Sequence, residues 1–100
     1  MIVLNASIPI DPDSRETAVE AATELAQHSR EEAGVIDYRV ALDVEDDTTL
    51  RIFEQYEDED ALNAHMNSDH YGSFESRVPG FAAGAPELHR FDVSEKTQLM

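Results

Sequence analysis

Histidine and tyrosine side chains are concentrated in one stretch of the chain, residues 52–74, which reads IFEQYEDEDALNAHMNSDHYGSF. It contains His65, His70 and Tyr71, and Glu54 lies near its start. The pKa of an imidazole is close to neutrality, so either histidine could act as a general base. A tyrosine hydroxyl could hydrogen-bond a substrate oxygen. We therefore predict that this stretch forms one wall of a pocket.

The same residues could also hold a metal ion. Imidazole and carboxylate groups suit zinc or iron, so His65, Asp69 and His70 are a conceivable ligand set. However, the five-residue spacing of the two histidines does not place both on one face of a helix. We therefore favour a site without a metal.

Glu54 has two interpretations. In a strand it would face the same side as Ile52 and Tyr56, and a carboxyl group buried there has a raised pKa unless it is paired. It is either a functional acid or one half of an ion pair with Arg39 or Arg51 across a hairpin. We favour the ion pair.

The elements that must position these residues follow from the hydrophobic pattern. Period-two alternation predicts strands, and apolar residues three and four apart predict helices. Asp13 and Glu16 resemble a capping box, Gly34 is expected as the C′ residue of the helix they begin, and Asp58 and Ser68 are expected to cap two later helices. The predicted strands cover residues 1–10, 35–44, 48–56 and 87–93, and the predicted helices run from about Asp13 to Ala33, from 59 to 66 and from 69 to 77.

The order of these elements is β-α-β-β-α-β, which is the pattern of an α+β ferredoxin-like fold with four antiparallel strands and helices on one face. Residues 1–93 are expected to form one domain, and residues 94–100 a tail or an arm onto a partner. A chain of 100 residues has material for one core only. The uncovered sheet face predicts a homodimer in which two sheets pack together.

Composition excludes several functions. The chain has 22 acidic and seven basic residues, a net charge of -15 and no cysteine. Nucleic acids and anionic membranes are therefore not expected partners, and thiolate chemistry is excluded. The absence of a long apolar run and of a signal-peptide pattern at the N-terminus predicts a cytoplasmic protein. Acidic residues spread along the whole chain favour a halophilic, solvated surface over a specific cationic ligand.

Three segments carry a resemblance to a known family: AGVIDY at residues 33–38, FEQY at 53–56, and ALNAH at 61–65 followed by His70. In this order and spacing they resemble the antibiotic biosynthesis monooxygenase (ABM) family. The resemblance implies a dimeric α+β barrel. It also implies oxygenation of a quinol, a phenol or a polycyclic aromatic substrate by dioxygen, without a cofactor.

The family also contains haem-degrading members, which carry an asparagine on the first strand, a tryptophan on the second helix and an axial histidine on the short third helix. Asn5 matches the first of these positions. His65 stands at the tryptophan position and Glu75 near the histidine position, so haem breakdown is not expected. Phenol-oxidising relatives have an aromatic residue or histidine and a tyrosine six residues later, which His65 and Tyr71 match.

Oxygenation without a metal or flavin requires a substrate that can itself give an electron to dioxygen, as an ionised phenol can. The protein must take the hydroxyl proton, hold the ring in a dry pocket and stabilise the developing anion. We predict that His65, His70 and Tyr71 are the catalytic residues. The predicted substrate-binding residues are Asn5, Tyr38, Phe53, Met66, Phe74 and Arg90.

Two other functions stay open at this point. One is a non-catalytic dimer of the same fold that binds a small ligand or acts in a stress response, and a pocket filled by Tyr38, Phe53 and Met66 would favour it. The other is a haem-binding protein.

Overall fold

The computed structural model describes all 100 residues and contains one four-stranded antiparallel sheet. The strand order is β2-β3-β1-β4, so the first and third strands are central. The predicted α+β ferredoxin-like fold is confirmed. The strands are β1 (Ile2–Pro9), β2 (Val35–Leu42), β3 (Thr49–Tyr56) and β4 (Glu87–Asp92), and the helices are α1 (Arg15–Ser29), α2 (Glu59–Met66) and α3 (Asp69–Arg77), with short 3₁₀ turns at Pro12–Ser14 and Val78–Gly80.

Strict alternation along β1 sets the two faces of the sheet. Ile2, Leu4, Ala6 and Ile8 are buried against the helices, and Asn5 points to the opposite, exposed face. The main core lies between this row, the neighbouring strands and a small-residue face of α1, which allows the helix to approach the sheet closely. Its principal members are Ala6, Ile8, Ile10, Ala18, Ala22, Leu25, Ala26, Tyr38, Leu50, Ile52, Phe74 and Phe81.

Helices α2 and α3 begin and end where the sequence predicts. The side chain of Asp58 accepts a hydrogen bond from the backbone N–H of Ala61 at 2.9 Å, and Ser68 Oγ accepts one from Tyr71 N–H at 3.2 Å. These caps separate the two helices, so His65 and His70 lie on different helices. None of the helices is long and apolar enough to cross a membrane.

The predicted start of α1 is wrong. Pro12–Ser14 form a 3₁₀ turn, and the side chain of Asp11 accepts the hydrogen bond from Asp13 N–H at 3.0 Å. Ser14 then precedes the helix without a side-chain cap. Pro12, whose fixed φ suits the first position of a helical turn, favours this 3₁₀ turn with Asp11 as its cap, so the capping box expected from Asp13 and Glu16 does not form.

The predicted end of α1 is also wrong, because the helix stops at Ser29. Glu32 follows in a tighter turn, with its N–H donating to Ser29 O at 3.1 Å. Gly34 has no positive φ and is therefore not the left-handed C′ residue. Instead it packs on Ala61 of α2, where an added Cβ would lie 2.3 Å from the alanine Cβ. This contact brings the segment that carries Glu32 against α2.

A bulge changes the alternation at the start of β2. Val35 pairs with Tyr56 and Asp37 pairs with Gln55, so Ile36 has no partner on β3. Ile36 is 43 % exposed, although regular alternation with Tyr38 would place it on the inner face. Tyr38 is unaffected and is fully buried beside Glu54, its partner on β3.

Candidate active site

A cavity of about 240 Å³ lies between the sheet and helices α2 and α3. Its surface is mainly apolar, with polar side chains from Tyr38, Glu54, His65 and Tyr71 on its wall. The turn after α3 and the first residues of β4 complete it. The other lining residues are Leu4, Ala6, Ile8, Leu25, Ile52, Met66, Phe74, Glu75, Val78, Pro79, Pro86, Glu87 and Leu88.

Glu54 is the buried carboxyl group of this cavity, with only 6 % of the residue exposed. The Tyr56 hydroxyl donates a hydrogen bond to its Oε1 at 2.5 Å. Burial raises the pKa of Glu54 to about 7, against the lowering effect of that hydrogen bond. Glu54 can therefore gain and lose a proton near neutral pH, as a general base must.

The predicted ion pair of Glu54 is wrong. Arg39 pairs with Asp37 at 2.9 Å, and Arg51 pairs with Asp43 at 2.7 Å. Both arginines alternate with inward-facing residues and lie on the outer face of the sheet, because side chains one position apart point to opposite faces. Glu54 thus has no cationic partner to offset the effect of burial, which raises its pKa.

His65 is the second titratable group of the cavity and is 1 % exposed. Its Nδ1 lies 2.8 Å from Oε2 of Glu32. A carboxylate can only accept, so Nδ1 carries the ring proton, and Nε2 is a buried acceptor with no hydrogen-bond partner. Burial lowers the pKa of His65 despite the opposing effect of Glu32, which favours the neutral ring.

Three tyrosines surround the imidazole of His65. The ring centroids of Tyr38, Tyr56 and Tyr71 lie 5.3, 5.5 and 5.1 Å from that of His65. Burial is the main reason that the pKa values of all three phenols are raised. The tyrosines therefore stay protonated, and the two that line the cavity, Tyr38 and Tyr71, can act as hydrogen-bond donors there.

Five of the predicted site residues meet in the cavity. They come from β2, α2 and α3, and Glu54 and the inner face of β1 lie opposite them. The residues are Tyr38, His65, Met66, Tyr71 and Phe74.

The other four predicted residues lie outside the cavity. Asn5 and Phe53 are paired neighbours on the outer face of the sheet, since each alternates with inward-facing residues. Arg90 is held at the sheet edge by Glu59 at 2.7 Å and Asp92 at 3.0 Å. His70 does not line the cavity. Its Nε2 lies 2.8 Å from Glu32 Oε2.

Sequence reasoning missed one residue of this arrangement and misread another. Glu32 lies in the turn after α1, and nothing in the sequence pattern distinguishes it from the neighbouring Glu31. For Glu54 a signal existed, because a carboxylate at an inward position of a strand is a buried charge or a functional acid.

The fold and the cavity define a ferredoxin-like α+β protein with a small, largely apolar site. The sequence model of the antibiotic biosynthesis monooxygenase family matches residues 1–77. The chain is 32 % identical over 95 residues to "Putative monooxygenase YcnE" of Bacillus subtilis, covering 95 % of this chain and 100 % of that protein. The chain therefore belongs to the antibiotic biosynthesis monooxygenase family.

Solved structures show the same fold. PA3566 from Pseudomonas aeruginosa aligns with a TM-score of 0.83 at 26 % identity, covering 90 % of each chain. Rv0793 from Mycobacterium tuberculosis aligns with a TM-score of 0.90 at 20 % identity, covering 97 % of this chain and 98 % of the other. At that identity the second alignment is evidence for the fold alone.

Proposed function

We propose that this protein is a cofactor-independent monooxygenase that oxygenates a quinol or a related phenolic substrate in the cavity under α2 and α3. The observation that carries the proposal is the pairing, in one apolar cavity, of a carboxyl group with a pKa of about 7 and an imidazole Nε2 without a partner. Membership of the family supports the reaction class. Dioxygen is the second substrate.

The size of the cavity favours a small aromatic substrate. An apolar cavity of about 150 Å³ accommodates benzene, and pockets for drug-sized ligands begin at roughly 300 Å³. The cavity of about 240 Å³ lies between these values and suits one or two fused rings. A naphthoquinol fits this range better than a larger polycyclic phenol does.

The proposed reaction uses Glu54 as the base. Transfer of a quinol hydroxyl proton to Glu54 leaves an electron-rich anion, which gives an electron to dioxygen, and the two radicals combine at the adjacent ring carbon. Glu54 returns the proton to the peroxide and then takes the hydrogen of that carbon as a proton while the O–O bond breaks and hydroxide leaves. The hydroxide takes this proton from Glu54 and departs as water, which regenerates the carboxylate. One quinol and one dioxygen yield one hydroxyquinone and one water.

His65 and Tyr71 have supporting roles in this proposal. The Nε2 of His65 accepts a hydrogen bond from a substrate hydroxyl, which orients the ring toward Glu54. The Tyr71 hydroxyl donates to the oxygen on which negative charge develops. His70 contacts Glu32 and orients the imidazole of His65 indirectly.

Non-catalytic binding is the rival function, and the structure gives a reason to prefer catalysis. Of the side chains expected to fill the pocket, Phe53 lies on the other face of the sheet, and Tyr38 and Met66 leave a cavity. A pure binding module would also gain nothing from a buried carboxyl group without a cationic partner, because its ionisation costs stability as the pH rises through its pKa.

The proposed assembly is a homodimer joined through the outer sheet faces. Phe53 and Phe91 are 42 % and 52 % exposed on that face, where single subunits leave them in water. Lys96 in the segment 94–100 donates to Gln55 on the same face at 3.2 Å, and Leu99 and Met100 beyond it are exposed. This segment is then an arm onto the partner.

Sedimentation of the Phe53→Asp variant tests the interface. A monomeric variant beside a dimeric wild type would support the interface, and a variant with the same oligomeric state as the wild type would exclude it.

Oxygen uptake with a naphthoquinol tests the function. After subtraction of the protein-free rate, the wild-type rate should rise as the pH passes about 7, because Glu54 must be ionised to accept a proton. Loss of a general base lowers rates by about a hundredfold or more, so Glu54→Gln should fall by that amount. Glu45→Gln, which changes an exposed carboxylate in the β2–β3 turn, is the matched control. Equal rates in all three proteins would refute the assignment.

A further inference from the structure

Three side chains from separate segments converge behind the cavity. Nδ1 of His65 on α2 and Nε2 of His70 on α3 each lie 2.8 Å from the same oxygen, Oε2 of Glu32 after α1. The three atoms all lie within 4.8 Å of one another. Because a break at residues 67 and 68 separates the two helices, the five-residue spacing that argues against a site on one helix does not apply.

The charge of this cluster is unbalanced. Glu32 is largely shielded from solvent, with 17 % of its side chain exposed, and its only ion-pair partners are the two histidines. Neither a lysine nor an arginine pairs with it. A buried carboxylate in this position is stabilised by a cation.

We propose that Glu32, His65 and His70 form a binding site for one divalent transition-metal ion of the zinc class. Two imidazole nitrogens and one carboxylate oxygen are ligands that zinc uses. Calcium and magnesium prefer sites in which all or nearly all ligands are oxygen atoms, and this site has one. A fourth position remains for water. Asp69, which the sequence suggested as the third ligand, is replaced in this role by Glu32.

The distances are compatible with such an ion. Zinc bonds of 2.0 to 2.2 Å in a tetrahedron place ligand atoms about 3.3 Å apart. The two nitrogen-to-oxygen distances of 2.8 Å are slightly shorter, and the third separation is at most 4.8 Å. His65 is fixed among the three tyrosines. A small shift of the Glu32 carboxylate and a rotation of His70 would bring the three atoms to zinc-ligand spacing, since these two side chains are 17 % and 22 % exposed.

The ion site and the proposed oxygenation use different atoms, and the oxygenation proposed above is that of the metal-free protein, in which Nε2 of His65 is an acceptor. The ion would occupy Nδ1 of His65, whereas Glu54 takes the substrate proton, and no step of the oxygenation passes through the metal. Binding at Nδ1 places the ring proton on Nε2, so a bound ion changes the group that His65 offers to the cavity from an acceptor to a donor. Failure of either proposal leaves the other intact, because metal binding is measured without substrate.

Titration of the chelator-treated full chain with Zn²⁺ and with Co²⁺ tests the site. Both are measured in molar KCl, which suppresses binding to the acidic surface. We expect one ion per chain and the visible absorption bands of tetrahedral Co²⁺. Since each variant removes a direct ligand, His70→Ala and Glu32→Gln should each weaken binding about tenfold or more. His89→Ala removes the one histidine on the outer sheet face and should bind as the wild type does.

Circular dichroism at the titration temperature shows whether each variant is folded, and the partly exposed His70 makes His70→Ala the safer of the two. Absence of stoichiometric binding in the wild type would overturn the proposal. The same holds if Glu32→Gln and His70→Ala bind with wild-type affinity, because the ions would then be held by surface carboxylates. In that case the cluster is a carboxylate that accepts two hydrogen bonds.

Discussion

Replacement of Glu54 by glutamine should make the protein less sensitive to alkaline pH. In the folded chain burial raises the pKa of Glu54 to about 7, above its ordinary value of 4.5. The folded state therefore holds a proton that the unfolded chain releases more easily. Stability from this group is fully present below pH 4.5 and is lost as the pH rises through 7.

The magnitude follows from the two pKa values. At about 1.4 kcal/mol per pH unit, the difference corresponds to about 3 kcal/mol of unfolding free energy, and about 2 to 3 kcal/mol of it falls between pH 5 and pH 8. Glu54 is only 6 % exposed, so solvent screening does not reduce this value much. Glutamine keeps an acceptor for the Tyr56 hydroxyl and has no charge to bury.

Urea unfolding at pH 5 and pH 8 in constant salt measures the effect. The loss of stability between the two pH values should be smaller in Glu54→Gln than in the wild type by about 2 to 3 kcal/mol. Glu45→Gln should lose as much as the wild type, because its carboxylate is in solvent. An identical pH dependence in wild type and Glu54→Gln would mean that burial does not raise the pKa of Glu54, and that Glu54 is not a base that titrates near neutral pH.

Two further predictions concern packing and surface charge. Gly34→Ala should lower the unfolding free energy by about 1 to 3 kcal/mol, since its Cβ would lie 2.3 Å from that of Ala61. Gly72→Ala should raise the unfolding free energy by about 1 kcal/mol, because nothing lies within 4 Å of the new Cβ. Thermal unfolding of both variants measures the two effects. Equal effects of the two would contradict the close approach of the loop to α2. The net charge of -15 should make the melting temperature rise from low salt to molar KCl, and a salt-independent temperature would count against a halophilic surface.

The fold was predictable because local signals agreed with one another. Alternation in β1 and β3, the caps Asp58 and Ser68, and the order of the elements all point to one topology. The errors occur where tertiary contacts override the local signal. Gly34 allows the close packing of its loop on Ala61. The bulge at Ile36 leaves that residue without a pairing partner on β3.

The candidate site was less predictable than the fold. The inward direction of Tyr38, His65 and Phe74 follows from strand and helix periodicity, and the structure places them in one cavity. Partners across the core do not follow from periodicity. Glu32 reaches His65 from 33 residues away, and the absence of a cation near Glu54 depends on which sheet face each arginine occupies.

Turnover of a naphthoquinol under isotopically labelled dioxygen is the direct test of the proposed oxygenation. Each molecule of hydroxyquinone should carry one labelled oxygen atom, and one dioxygen should be consumed per quinol. Glu54→Gln should form little labelled product. Formation of unlabelled quinone with hydrogen peroxide, at the rate seen without protein, would contradict it. The cavity would then bind aromatic molecules without oxygenating them.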